Sequence, residues 1–235
     1  MKAVSATDVT IVIPQYNHVE LTSDCIRSLR NHDTKSWPIL VVDDGSTSAS
    51  RQVLASKRLL GTRIIEQDHL GVTAAWNRGA KEAGSRYLVF LNNDVLFHGP
   101  VIERLIQPLR DEGFLISGVA LRRESDLPPS ILKTSVPSSF LQGWCFAMSA
   151  ETFRSLGGFD EALSVYWSDT DFQIRLNCKF GVRRNLVSCV ADLPLRHLKH
   201  QTAHTLQHHR DVWKKDRETF MAKWCRNNRS ESSLK

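Results

Sequence analysis

The sequence has no apolar run near the ~20 residues that a membrane-spanning helix requires, and its first ten residues lack the apolar core of a signal peptide. Its five cysteines include no C-x-x-C pair, and an odd, scattered set is typical of reduced thiols. We therefore expect a cytoplasmic protein. Hydrophobic residues make up 41% and charged residues 24% of the chain, which excludes a disordered or collagenous protein.

Two phosphate-binding motifs are also missing. No G-x-G-x-x-G follows the first predicted strand, which argues against a dinucleotide-dependent dehydrogenase, and no G-x-x-x-x-G-K-[ST] is present, which excludes a P-loop NTPase. No RNA- or DNA-binding module pattern accompanies the basic C-terminal part of the chain, so we expect no nucleic-acid partner.

The net charge of +6 comes entirely from residues 196–235, which contain ten Lys or Arg and four Asp or Glu. Residues 206–224 predict a basic amphipathic helix. The large apolar residues on one face of this helix are Trp213, Phe220, Met221 and Trp224. Either this face packs on the rest of the protein and the lysines are solvated, or the exposed basic part contacts an anionic cytoplasmic membrane.

Short apolar, mostly β-branched runs alternate with helical patterns in the first ninety residues. The strands are predicted at 9–14, 39–42, 62–66 and 87–91. This alternation predicts an open, mostly parallel α/β sheet, in which ligands bind beyond the carboxyl ends of the strands. Polar clusters follow three strands, at 15–17, 43–46 and 92–94, and should meet at one rim of the sheet.

The pattern loosens after residue 95. We predict helices at 101–109, 150–156 and 168–180, and strands at 115–121 and 143–149. Residues 124–139, with three prolines and five serines, read as a long surface loop. In the helix at 168–180, Ser168 is predicted as the N-cap with Asp171 as its capping-box partner, while Asp169 is not needed for the cap.

Several polar residues have both a chemical and a structural interpretation. Asp43 and Asp44 can accept hydrogen bonds from a nucleoside, or simply form a turn. Asp94, preceded by two asparagines, suits Mg²⁺ or Mn²⁺ bridged to phosphates, or a capped turn. Asp169 is a candidate general base, although the helix dipole alone favours a carboxylate in a first turn.

A histidine cluster lies near the C-terminus. His200, His204 and His208 follow the spacing i, i+4, i+8, so that one helix face could carry all three. A zinc site and a solvated helix face both fit this spacing, but no Cys or carboxylate stands at ligand spacing.

Taken in order, these pieces resemble the inverting glycosyltransferases of family 2, which have the GT-A fold. The resemblance covers about residues 9–205. It rests on VTIVIPQYN (9–17), VVDDGS (41–46), the run 71–79, YLVFLNNDV (87–95), GGFDE (157–161) and WSDTDFQIRL (167–176).

The resemblance implies one GT-A domain over 1–205, with a nucleotide-sugar-binding half at about 1–95 and an acceptor half at 96–205, followed by the basic helix and tail at 206–235. It implies Asp169 as the general base, and Asp94 with His197 at a divalent Mn²⁺ or Mg²⁺ ion, with His200 as a rival to His197. The implied nucleotide-binding residues are Pro14, Tyr16, Asn17, Asp43, Asp44, Asn77 and Asn93. The implied contacts to donor sugar or acceptor are Trp144, Asp160 and Asp171.

The implied substrates are a UDP- or dTDP-type sugar and a saccharide or lipid-linked acceptor. Asn92, Ser168 and His69 depart from the family pattern, and Asn92 leaves Asp94 as the single acid of the metal motif. Two alternatives stay open. A nucleotidyltransferase would have a basic, glycine-rich loop after the first strand, where this chain has PQYNH, and a catalytically weak nucleotide-sugar- or glycan-binding module would lack Asp94 or Asp169.

Overall fold

The structure is a computed structural model that describes residues 4–57, 59, 61–123, 127, 139–181, 185–198 and 209–226. Its helices are α1 (Val19–His32), α2 (Ser48–Ser56), α3 (Val72–Glu82), α4 (Ile102–Asp111), α5 (Ala150–Ser155), α6 (Ser168–Phe180) and α7 (His209–Arg226). Its strands are β1 (Val9–Gln15), β2 (Ile39–Asp44), β3 (Thr62–Gln67), β4 (Tyr87–Leu91), β5 (Val95–Phe97), β6 (Ile116–Gly118), β7 (Leu121–Arg123), β8 (Ser139–Leu141), β9 (Cys145–Ser149), β10 (Val187–Cys189) and β11 (Leu195–His197).

A seven-stranded sheet in the order β10-β6-β9-β4-β1-β2-β3 forms the centre of the molecule. Only β9 pairs antiparallel with its neighbours in this sheet, β4 and β6, and the remaining pairs are parallel. The predicted mostly parallel α/β sheet is therefore confirmed. Two short antiparallel pairs, β11-β5 and β7-β8, lie outside this sheet.

The sheet is covered on both faces because side chains alternate along each strand. In β1, Ile11 and Ile13 belong to a core cluster that contains residues of α1 and α4, whereas Val12 belongs to a second cluster with residues of α3 and α6. Burial on both faces explains why these strands are continuous apolar runs in the sequence.

Helix α7 packs on the domain through part of its predicted apolar face. Phe220 is completely buried and Trp224 is 9% exposed, in a cluster with Trp167 and Ile174, and Met221 packs against that cluster. Trp213 does not join them and is 42% exposed, so its predicted place on the packed face was wrong.

The predicted cap of α6 was wrong, although the helix has the predicted bounds. The helix begins at Ser168, and the preceding residue, Trp167, has the left-handed φ of 67°. Asp171 forms no capping box, because its carboxylate accepts hydrogen bonds from Arg175 and Trp224.

Some predictions fall on other parts of the chain. The predicted strand at 115–121 is divided into β6 and β7. Of the loop 124–139 only residues 127 and 139 are described, and His200, His204 and His208 lie outside the described residues. None of the five cysteines forms a disulfide. Among the described helices, none has the length and apolar character needed to cross a membrane.

Candidate functional site

The loops after β1 and β2 are joined at the carboxyl edge of the sheet. Asn17, with φ of 57°, donates its backbone N–H to Ser46 Oγ (2.9 Å) and accepts the backbone N–H of Thr47 through Oδ1 (2.9 Å). Two of the three predicted polar clusters, 15–17 and 43–46, therefore meet, and Asn17 holds the two loops together.

Asp44 is bonded to the turn that leads into α3. Its Oδ1 accepts the backbone N–H of Leu70 and its Oδ2 that of Gly71, both at 2.9 Å. His69 Nδ1 lies 2.9 Å from Asp44 Oδ2, and the imidazole ring stacks on Tyr16 with centroids 4.1 Å apart. The result is an aromatic surface next to a nearly buried carboxylate.

A second acidic group lies where β4 turns into β5. Asp94, only 3% exposed, has Oδ1 3.1 Å from His197 Nε2, and this imidazole stacks on the Trp144 indole with centroids 4.8 Å apart. β11 brings His197 here, since it pairs with β5 so that His197 stands opposite Val95. Residues more than a hundred positions apart thus form one pair.

Asp169 lies in the first turn of α6. Its Oδ2 accepts the backbone N–H of Gly143 (2.9 Å) and its Oδ1 that of Thr170 (2.8 Å). The Arg122 guanidinium is 3.6 Å from Oδ1, and the Asp169 side chain is 13% exposed. The carboxylate is thus fixed in direction while part of it stays accessible.

These groups line one cavity of about 210 Å³. The predicted site residues in its lining are Pro14, Tyr16, Asp44, Asn93, Asp94, Trp144, Asp169 and His197. Asn17, Asp43, Asn77, Asp160 and Asp171 are absent from that lining.

The five predicted residues outside the lining have structural contacts. Asn17 joins two loops, as described above, and Asp43 is 1% exposed and accepts the Ser46 N–H. Asn77 exchanges two hydrogen bonds with the backbone of Phe159. The carboxylates of Asp160 and Asp171 both form ion pairs with Lys223 Nζ of α7, at 2.6 and 2.8 Å.

Sequence reasoning missed several residues of the cavity lining, among them Gln15, Trp76, Arg122 and Tyr166. Gln15 Nε2 and Trp76 Nε1 are buried donors that have no partner among the residues the structure describes. No signal in the sequence indicates that Trp76 lines a cavity.

The described part of the chain offers few ligands to a metal. Within the described residues, no group of three or more His, Cys, Asp or Glu side chains is arranged to hold an ion. The Asp94–His197 pair supplies one carboxylate and one imidazole, a donor set that suits an ion completed by substrate oxygens and water.

Comparisons with known proteins agree with this architecture. The chain shares its fold with GalNAc-T7, solved with UDP, GalNAc and Mn²⁺, at a TM-score of 0.63 and 15% identity over 80% of this chain and 43% of that one. It is also similar to the mannosyltransferase PcManGT of Pyrobaculum calidifontis, solved with GDP-Man and Mn²⁺, at a TM-score of 0.61 and 19% identity, covering 86% of this chain and 60% of that one. The fold is therefore the expected GT-A fold.

The sequence model described as Glycosyl transferase family 2 matches residues 10–172. The chain belongs to this family. It is 29% identical over 147 residues to an uncharacterized glycosyltransferase of Rickettsia felis. The aligned residues cover 62% of this chain and 24% of that protein. The chain thus spans about a quarter of the length of this curated relative.

Proposed function

We propose that the protein is an inverting glycosyltransferase that moves a sugar from a nucleoside-diphosphate sugar to an acceptor hydroxyl. The observation that carries this proposal is the convergence of Asp169, the Asp94–His197 pair and the Tyr16–His69 stack on one cavity. Inversion requires a base on one side of the anomeric carbon and a stabilised leaving group on the other, and the cavity offers candidates for both.

Asp169 is the proposed general base. Each of its oxygens accepts one backbone N–H, from Gly143 or Thr170, and a carboxylate oxygen has a further lone pair. That lone pair can accept the proton of the acceptor hydroxyl as the oxygen attacks the sugar. In this reaction the acceptor hydroxyl attacks the sugar directly and no residue of the enzyme acts as a nucleophile, so the transfer is a single displacement.

Asp94 and His197 are the proposed protein ligands of Mn²⁺ or Mg²⁺. When bound, such an ion would stabilise the charge of the departing nucleoside diphosphate. The Tyr16–His69 stack offers a flat surface to the base of the nucleotide, beside Asp44. Both solved relatives described above contain Mn²⁺ and a nucleotide or nucleotide sugar, which supports this assignment.

The proposed donor is a UDP- or dTDP-type sugar, and the proposed acceptor is a saccharide or a lipid-linked saccharide. The exposed lysines of α7, Lys214 and Lys215, would bring the protein to the cytoplasmic face of an anionic membrane, where a lipid-linked acceptor is found. The two alternative functions, nucleotidyl transfer and glycan binding without catalysis, have no specific observation in their favour.

The proposal is tested by the release of nucleoside diphosphate from a panel of UDP-, dTDP- and GDP-sugars with Mn²⁺, with water or oligosaccharides as acceptors. We expect Asp169→Asn to lower turnover by ~10²–10⁴-fold, because the amide cannot take the proton. Binding of the nucleoside diphosphate should stay within about twofold of wild type, because Asp169 is proposed to act on the acceptor hydroxyl. A twofold change corresponds to less than ~0.5 kcal/mol.

Two further variants separate chemistry from structure. Asp192→Asn changes an exposed carboxylate and should leave turnover unchanged. Asp169→Glu keeps a displaced carboxylate and should be more active than Asp169→Asn. Turnover of Asp169→Asn within tenfold of wild type would remove Asp169 from the role of base, and binding of a sugar nucleotide without any release would favour a binding module.

A further inference from the structure

Helix α7 carries a completely buried carboxylate, Asp216. Its Oδ2 accepts the backbone N–H groups of Tyr166 (2.8 Å) and Val165 (2.9 Å), and its Oδ1 that of Ser164 (3.2 Å). Hydrogen bonds to a charged acceptor are stronger than neutral ones, so this side chain fixes the backbone of three consecutive residues. Burial raises the pKa of the Tyr166 phenol, and the charge of Asp216 adds to this effect.

The segment held in this way is a wall of the candidate active site. Val165, Tyr166 and Trp167 all line the cavity that contains Asp169. Trp167 has a φ of 67°, which a residue with a large side chain adopts only where its surroundings impose it. Its indole packs on Phe220 of α7, with ring centroids 4.8 Å apart.

The same segment determines where α6 begins. The Trp167 carbonyl accepts the backbone N–H of Asp171 at 2.8 Å, which closes the first turn of the helix, and Asp169 lies within that turn. α7 holds this turn from a second side, because Trp224 Nε1 donates to Asp171 Oδ1 at 3.0 Å. Contacts from α7 thus support the helical turn that carries Asp169.

Helix α7, which supplies these contacts, lies outside the region that matches the family. The family match covers residues 10–172, and α7 begins at His209. The residues proposed to contact the donor are Tyr16, just after β1, Asp44 at the end of β2, and Asp94 in the β4–β5 turn. None of their contacts described above involves α7.

We infer that α7 is a working part of the catalytic unit and that Asp216 is a positioning residue. Asp216 holds the wall formed by residues 164–167 and, through it, directs Asp169 toward the acceptor. This inference rests on the proposed function, in which Asp169 is the base.

The test is Asp216→Asn in the full chain. The amide has one accepting oxygen in place of two and turns N–H groups toward backbone N–H donors. We expect kcat to fall by about 10- to 100-fold, because small displacements of a catalytic group have effects of that size. The dissociation constant of the nucleoside diphosphate with Mn²⁺, measured by calorimetry, should change by less than about twofold, which corresponds to ~0.4 kcal/mol.

The matched control is Glu218→Gln, which neutralises an exposed carboxylate on the same helix and should leave both quantities unchanged. Phe220→Leu is the second variant, because it removes the ring that packs on Trp167 while it keeps an apolar side chain. It should show the same fall in kcat without a change in diphosphate affinity. Circular dichroism of each variant establishes that it is folded.

The outcomes are distinct. A wild-type chain that transfers no sugar defeats the proposed function itself. If wild type is active, the inference is overturned by a kcat of Asp216→Asn equal to that of Glu218→Gln, or by equal losses of kcat and diphosphate affinity. Unfolding of both Asp216→Asn and Phe220→Leu would also overturn it, because α7 would then act only in stability.

Discussion

At the scale of single residues, the Trp76 indole lines the cavity and packs on Phe90, Phe146 and Phe159, and its buried N–H has no partner among the described residues. A buried donor that stays unpaired costs about 1–3 kcal/mol, so a ligand oxygen at this position gains affinity by accepting it. We therefore predict that Trp76 contacts the ligand bound in the cavity.

We expect Trp76→Phe to weaken binding of the nucleotide sugar by roughly tenfold, which corresponds to about 1.4 kcal/mol. Phenylalanine keeps an aromatic ring among the three neighbouring rings but has no N–H. Calorimetry measures the effect, and Trp213→Phe on the exposed surface of α7 is the control. An unchanged affinity would show that the indole N–H contacts no ligand.

Asp94 should contact the donor only through the metal. Asp94→Ala is therefore expected to weaken Mn²⁺-dependent binding of the nucleoside diphosphate by about tenfold or more, since interactions with a charged group contribute about 1.5–3 kcal/mol. Binding of the bare nucleoside, which has no phosphate to bridge, should change little. Equal losses for both ligands would instead assign Asp94 a structural role beside His197.

At the scale of secondary-structure elements, the two ends of α3 contrast sharply in the space around their glycines. Gly71, before the helix, has a φ of 98°, and a Cβ there would lie 2.5 Å from the Ser164 carbonyl oxygen. Gly84, after the helix, has nothing within 4 Å of such a Cβ. Gly71 thus allows α3 to approach the wall segment 164–167, whereas Gly84 makes no close contact.

We expect Gly71→Ala to lower the free energy of unfolding by about 1–3 kcal/mol, because the added methyl group clashes with backbone and the φ is unfavourable for alanine. Gly84→Ala should be neutral within about 0.5 kcal/mol. Urea denaturation of the two variants provides the comparison. A midpoint for Gly71→Ala equal to that of Gly84→Ala would contradict the close contact.

The alternation of strands and helices could be predicted because each signal is local. β1, β2 and β4 are buried on both faces and therefore read as short apolar runs, and the 3.6-residue period of α6 gives both of its ends correctly. The rim of polar clusters follows from parallel strands, whose carboxyl ends share one edge.

The roles that the sequence could not indicate depend on partners far along the chain. Asp171 has the spacing of a capping-box residue, but its carboxylate is bonded to Trp224, 53 positions away. Asn77 belongs to a motif that resembles a nucleotide site, but its amide is bonded to Phe159, 82 positions away. Sequence rules consider only hydrogen-bond partners that are near in the chain. Here the polar atoms of Asp171 and Asn77 are bonded to residues that are distant in sequence.

At the scale of the whole molecule, α7 is basic, with six Lys or Arg against three Asp or Glu. Its apolar residues Phe220 and Trp224 pack on the domain, while Lys214 and Lys215 are exposed. Packing and membrane contact are thus compatible, because they use different faces of the helix. Arg217 stands over the Trp213 ring at 5.9 Å, which adds an exposed aromatic group to the basic face.

We expect the protein to co-sediment with vesicles that contain anionic lipid at low salt, since each basic residue near such a surface contributes ~1 kcal/mol. Salt should weaken this binding by screening. Replacement of Lys214, Lys215 and Arg217 by Gln should abolish it, and vesicles of neutral lipid are the control. Absence of binding at low salt would limit α7 to packing within the protein.

The position of α7 in the chain has a consequence for biosynthesis. A ribosome makes the sheet, Asp94 and Asp169 first, and makes Asp216 and Phe220 only afterwards. Until Asp216 and Phe220 emerge, the backbone N–H groups of residues 164–166 lack their acceptor, and Trp167 lacks the Phe220 ring on which it packs. We therefore expect a translation product that stops short of α7 to bind a nucleoside diphosphate with Mn²⁺ but to turn over more slowly than the full chain, because Asp169 would lack the support that α7 is inferred to give.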